Sequence, residues 1–169
     1  MTANLSRPVD IRRLHKEQNV TVEATETERT AIAKALELLS LESLTAQLSV
    51  TPWRQDGVRV SGTVHAKLSQ ACIVTLEPVE NIMDEPFEVC LHPEASAGSV
   101  VEIDPDAPDP PDILEGDTVD VGAMVLEHFA LALDPYPRAP GVEFEPPKDE
   151  SEDEPSPFAA LAALKKTLN

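Results

Sequence analysis

His65, Cys72, Cys90 and His92 are the residues best suited by type to hold a metal, since two thiolates and two imidazoles make a familiar zinc set. Cys90 and His92 lie two apart and would share one face of a strand. Neither cysteine has a second ligand two to four residues away in a zinc-finger pattern, and isolated cysteines more often pack as buried thiols. The spacing therefore predicts no metal and no other cofactor. The four histidines, His15, His65, His92 and His128, form no triad or dyad signature. No phosphate loop, dinucleotide glycine pattern or nucleophile elbow is present, so neither catalysis nor a small-molecule substrate is expected.

Charge chemistry offers more. Asp120, Glu127 and Asp134 recur at seven-residue spacing, which places them nearly in line on a helix. Asp120 suits a helix start. Glu127 has almost only apolar neighbours. It is either a contact for a basic partner or one half of a salt bridge to Arg138 or a sheet arginine. In 134–138 (Asp-Pro-Tyr-Pro-Arg) two prolines fix their own φ angles and hold Tyr136 and Arg138 in a set pose. Both types favour interfaces; the other reading is a rigid end-stop with Tyr136 packed on a sheet. Arg7, Arg12, Arg13 and Lys16 form the basic cluster of the first part, and a direct RNA surface would have to use it.

The wider charge balance bears on that choice. The 169 residues carry a formal charge of −18. Residues 1–70 hold nine Lys/Arg against eight Asp/Glu, whereas 71–169 hold four against twenty-three. The second part should repel a phosphate backbone, which proteins normally neutralise with Lys and Arg. A link to nucleic acid is then expected to be indirect, through a basic partner.

The elements that position these residues follow from periodicity. Val20 and Val22 alternate with polar residues and suggest a short strand. Thr25 with Glu28 has capping-box spacing, and Ile32, Ala35, Leu36 and Leu39 form a helical stripe. Leu44, Ala46, Leu48 and Val50, then Val58, Val60, Val64, Ala66 and Leu68, alternate as a hairpin around Asp56-Gly57. Further strands are predicted at 72–76 and 87–91, with 77–86 connecting them. Residues 91–120 contain nine acids and no Lys or Arg, with Pro105, Pro110 and Pro111 among them. The 93–119 stretch reads as an exposed acidic loop. Residues 120–133 are apolar around nearly the whole circumference, so this second helix should be buried on more than one side.

Residues 141–155, with seven acids and three prolines, read as a disordered linker. Ser156-Pro157 then starts a short helix with an apolar edge of Phe158, Leu161, Leu164 and Leu168, and with Lys165 and Lys166 at its end. It either docks in a partner's groove or folds back on its own body. The expected architecture is one α+β domain over 1–140, an antiparallel sheet of about five strands packed against two helices, then linker and short C-terminal helix. The start of the chain lacks an apolar leader, and no run reaches the roughly 18 apolar residues of a membrane span. A cytoplasmic protein with reduced thiols and no membrane association is expected.

Three segments in order resemble one family. They are Cys72-Ile73-Val74-Thr75-Leu76-Glu77-Pro78-Val79; Thr118 to Glu127 continuing through Asp134-Pro135-Tyr136-Pro137-Arg138; and Ser156-Pro157-Phe158 to Lys165-Lys166. Their order and spacing are similar to the YceD family, in the form found in alphaproteobacteria. The resemblance implies a non-catalytic role in synthesis, processing or stability of large-subunit ribosomal RNA. It also implies a basic ribosomal protein or large-subunit maturation factor as partner. A zinc-ribbon protein of the large subunit, often encoded beside family members, is one candidate. Many members place a second cysteine three residues after the first, where this chain has Thr75.

Overall fold

Strand-forming alternation dominates residues 40–71, and these become the two central strands of the fold. The computed structural model describes residues 4–93 and 110–143. In chain order the elements are β1 (Pro8–Asp10), β2 (Gln18–Glu23), α1 (Glu26–Ala35), β3 (Ser40–Trp53) and β4 (Gly57–Ala71). β5 (Pro78–His92), β6 (Asp112–Ile113), β7 (Thr118–Asp120) and α2 (Val121–Ala132) follow. Five strands form one sheet in the order β2-β3-β4-β5-β6, and β1 pairs with β7 in a separate two-stranded sheet.

The architecture is α+β with two helices, as expected, but the sheet is mixed. β2 to β5 are an antiparallel meander, whereas β6 joins β5 in parallel. The predicted strand at 72–76 is a turn, and β5 starts at Pro78 inside the supposed connection. Met83 and Phe87 are buried there and Val79, Asn81 and Glu85 on the same face are half-buried, while the even-numbered Glu80, Ile82, Asp84 and Pro86 are exposed. Pro86 is tolerated because most of β5 has no second neighbour strand among the described residues. The expected loop at 93–119 contains β6, most of β7 and the buried Leu114 and Val119.

Thr25 caps α1 with Glu28 as a capping box. Glu37 then takes a left-handed φ of 56°, which turns Leu38 inward and leaves Leu39 outside. In the β3–β4 hairpin, Gly57 already pairs with Trp53, so the loop is Arg54-Gln55-Asp56, with positive φ at Arg54 and Asp56. Gly57 answers crowding: a Cβ there would sit 2.5 Å from the Trp53 carbonyl oxygen.

Register puts Leu44, Ala46, Leu48 and Val50 opposite Ala66, Val64, Gly62 and Val60 on one face. That face is the core. α2 crosses it, packing on β4 and β5 and touching β1 and β2. Val121, Val125 and Phe129, one residue per turn, are fully buried against it, and His128 stacks on Phe87 with ring centroids 4.2 Å apart. The opposite sheet face presents Thr45, Gln47, Thr63, His65 and their polar neighbours to solvent. α2 leaves one narrow stripe exposed, Ala123, Glu127 and Leu131 (75% exposed); the rest of its circumference is buried or half-buried, with Met124, Leu126 and Ala132 packed against the core. Among the described residues, no helix is long and apolar enough to cross a membrane.

Candidate interaction surface

Two turns far apart in sequence are tied together at one end of the sheet. The first, at 72–77, joins β4 to β5. The Cys72 N–H donates to the Glu77 carbonyl at 2.8 Å, the Leu76 N–H donates to the Cys72 carbonyl at 2.9 Å, and Leu76 takes a φ of 63°. The second follows α2, where the Asp134 carboxylate accepts the Tyr136 N–H at 2.8 Å. Three bonds join them. Gln70 Nε2 donates to the Asp134 carbonyl at 3.0 Å, the Ile73 N–H donates to the Pro137 carbonyl at 2.9 Å, and the Ala139 N–H meets Cys72 Sγ at 3.4 Å.

Cys72 is fully buried in this knot. Its thiol is drawn down to about 6 by the Thr75 hydroxyl first, then by the N–H groups of Ala139, Thr75 and Val74. The sulfur accordingly acts as an acceptor that holds the second turn to the first.

The knot displays apolar side chains. Ile73, Leu76 and Tyr136 are 45%, 77% and 69% exposed. Leu131, in the last turn of α2 and three residues before Asp134, is 75% exposed, and Glu127 lies one turn before it on the same exposed ridge. Arg138 is exposed and Pro137 is buried. Of the two readings of Tyr136, packing on a sheet does not fit a side chain 69% exposed. The expected salt bridge of Glu127 is also absent: among the described residues it has no ion-pair partner. Exposed large apolar residues gathered at one end mark an interaction surface more strongly than scattered ones. Sequence reasoning missed Ile73 and Leu76 because an apolar run before Glu77-Pro78 reads as a strand, and missed Leu131 because it lies in an almost wholly apolar helix.

Half of the basic cluster, Arg7 and Arg12, is committed to internal bonds. The Arg7 guanidinium grips both Glu28 oxygens at 2.9 Å and donates to the Glu23 carbonyl. Arg12 pairs with Asp10. Lys67 pairs with Glu42 at 2.6 Å, and Arg59 lies 3.4 Å from Glu88. Arg13 and Lys16 are exposed, and no carboxylate pairs with them among the described residues.

The metal-type residues are dispersed. His65 pairs with Asp84 on the open sheet face. Cys90 lies opposite Arg59, six residues along β4 from His65, or roughly 20 Å at the strand rise. The His92 Nε2–H donates to the Gln55 carbonyl at 2.9 Å, and the ring meets Trp53 edge-on. Cys72 is in the knot. Among the described residues no three His, Cys, Asp or Glu side chains are grouped as metal ligands.

A cleft of about 940 Å³ lies at the hairpin end, lined by Trp53, Arg59, Cys90 and Pro110 among others, with the Arg54 guanidinium 4.2 Å above the Trp53 ring. Phe158, Leu161, Leu164, Lys165 and Lys166, with the whole expected C-terminal helix, lie outside the described residues, as do 94–109 of the expected loop and most of the linker.

No curated protein matches the chain, and no solved structure does. One family model matches residues 60–165, well over half of the sequence. The match takes in both turns of the knot and all of α2, while Arg7, Arg12, Arg13 and Lys16 fall before it. On that match the chain belongs to the YceD family, whose description is large ribosomal RNA subunit accumulation protein YceD.

Proposed function

We infer that this chain is a non-catalytic factor supporting the synthesis, processing or stability of large-subunit ribosomal RNA, and that it acts by gripping a basic protein. The partner class is a basic ribosomal protein or a large-subunit maturation factor, met in the cytoplasm. The observation that carries this reading is the charge balance: thirteen Lys/Arg stand against thirty-one Asp/Glu, and four of the cations, Arg7, Arg12, Arg59 and Lys67, are paired with the chain's own carboxylates rather than free to neutralise phosphates. The net −19 of residues 71–169 instead attracts a basic surface and speeds encounter with it. Glu127, Tyr136 and Arg138, with Leu131, Ile73 and Leu76 around them, form the contact in this reading. Phe158, Leu161, Leu164, Lys165 and Lys166 supply a second, tethered element.

Two measurements test it. The association rate of the purified chain with the large-subunit zinc-ribbon protein should fall steeply as salt rises. Replacing Leu131 and Tyr136 by Asp and Ala should weaken the complex and lower the level of large-subunit ribosomal RNA in cells. A rate indifferent to salt counts against the reading. The second reading, direct RNA binding, has Arg13 and Lys16 in its favour. Tight gel-shift binding of large-subunit RNA by the chain alone would establish it.

A further inference from the structure

β5 is paired with β4 from Pro78 to Leu91 without a register slip. On its other side only Leu91 and His92 meet a strand, β6, among the described residues. Backbone groups of successive strand residues point alternately to the two sides. The His92 carbonyl accepts from the Leu114 N–H on the β6 side, and the Glu77 carbonyl accepts from the Cys72 N–H on the β4 side. Even-numbered residues of β5 therefore aim their N–H and C=O groups away from β4.

Pro78 and Pro86 both stand at such outward positions, where a missing N–H costs the sheet nothing. Between them Glu80, Ile82 and Asp84 present three donors and three acceptors that have no backbone partner among the described residues. The other edge of the sheet differs, because Arg7 caps the Glu23 carbonyl of β2.

We propose that the 79–85 window of β5 takes an extended basic segment of the partner protein as an added strand. The proposal rests on the reading above that the partner is basic. Natural edge strands are blunted with charge and proline to prevent pairing. Here the charge has one sign: β5 carries Glu80, Asp84, Glu85 and Glu88 and no Lys or Arg. Such an edge repels a second copy of itself and attracts a cationic strand. Ile82, 73% exposed at the centre of the window, is the opposite of a blunting residue. An added strand with alternating side chains would set lysines beside Glu80 and Asp84 on the open face and apolar groups beside Val79 and Met83 on the other. The two prolines limit the hydrogen-bonded window and so fix its register.

The test uses the full chain, the zinc-ribbon protein, and a seven-residue peptide of alternating lysine and valine as probe. Probe binding should slow amide hydrogen exchange at Glu80, Ile82 and Asp84. Ile82→Pro removes one outward N–H at a site equivalent to Pro86. It should lower affinity for probe and protein by about tenfold or more while circular dichroism stays native. Glu80→Lys with Asp84→Lys should do the same. Unchanged affinity of Ile82→Pro, or amides that exchange no more slowly on binding, would overturn the proposal. So would amides already protected in the unbound chain, which would show the edge filled by the chain's own residues. If the zinc-ribbon protein binds with strong salt dependence yet Ile82→Pro is neutral, the edge fails alone. If no basic protein binds, the functional reading falls with it.

Discussion

Asp120 receives four hydrogen bonds, and removing its carboxylate should be among the most damaging single changes outside the apolar core. Its Oδ1 accepts from the Arg7 N–H at 2.7 Å, from Gly122 at 3.1 Å and from Ala123 at 3.2 Å, while Oδ2 accepts from the Ser6 hydroxyl at 2.6 Å. The bonds to Gly122 and Ala123 cap α2, a role whose loss costs about 1 kcal/mol. The other two tie 6–7 to the helix start. A hydrogen bond to a charged group contributes about 1.5–3 kcal/mol when sheltered and less where water can replace it, so about 1 kcal/mol each is reasonable here.

Asp120→Ala should then cost about 3 kcal/mol in total. Asp120→Asn keeps the Oδ1 acceptor, lets its amide donate to Ser6 Oγ in place of the present bond, and loses the charge, so it should cost about 1 kcal/mol. Urea unfolding followed by Trp53 fluorescence and by circular dichroism measures both. With a slope of about 2 kcal/mol per molar, the midpoint should fall by about 1.5 M for Ala and about 0.5 M for Asn, with the slope unchanged. A midpoint for Asp120→Ala within about 0.3 M of the parent would refute the reasoning. Equal loss in the two variants would show that charge, not acceptor geometry, matters.

The Glu28 carboxyl is held down to about 2 by Arg7 and by the Thr25 N–H, against 4.5 ordinarily. Its stabilising effect is complete above about pH 5 and is lost as pH falls toward 2. Glu28→Gln should cost about 1–2 kcal/mol at neutral pH, and melting temperature should vary less with pH between 5 and 2 than in the parent. At Gly62 a Cβ would lie 2.2 Å from the Gln47 carbonyl oxygen and 2.7 Å from Leu48 Cδ2. Gly62→Ala should therefore cost about 2 kcal/mol or more by thermal melting, with an unchanged midpoint as the contrary result. Iodoacetamide should alkylate the half-buried Cys90 at least about tenfold faster than the buried Cys72 in the native chain, and both alike in urea. Equal native rates would show that the knot opens readily.

The parts of this fold legible in sequence are those with local causes. Thr25 and Glu28 are three residues apart and cap one helix, and Asp120 caps the other. The Leu44–Val50 and Val58–Leu68 alternation makes the central hairpin. Non-local features left no such trace. β1 and β7 are three residues each, too short for a period, and pair across more than 100 residues. Cys72, Ile73 and Leu76 look like strand residues, yet the chain turns there because the second turn offers Pro137 and Ala139 as partners. The candidate surface was half visible: Tyr136 and Arg138 stood out by type and rigidity, while Leu76 and Leu131 stood out only once their exposure was seen.

The pairing of β1 with β7 bears on how the molecule is made. Val9 faces Val119, Leu5 is wholly enclosed, and the Val121 N–H donates to the Arg7 carbonyl at 3.2 Å. During synthesis the meander can assemble as it emerges, since each strand meets the one just before it. The latch cannot close until residue 121 has arrived. Until then Val22, Val60 and Val64 lack their cover, and uncovered apolar surface of this kind is where a growing chain is most prone to aggregate. A deletion at the amino end would likewise be felt first in α2, far along the sequence.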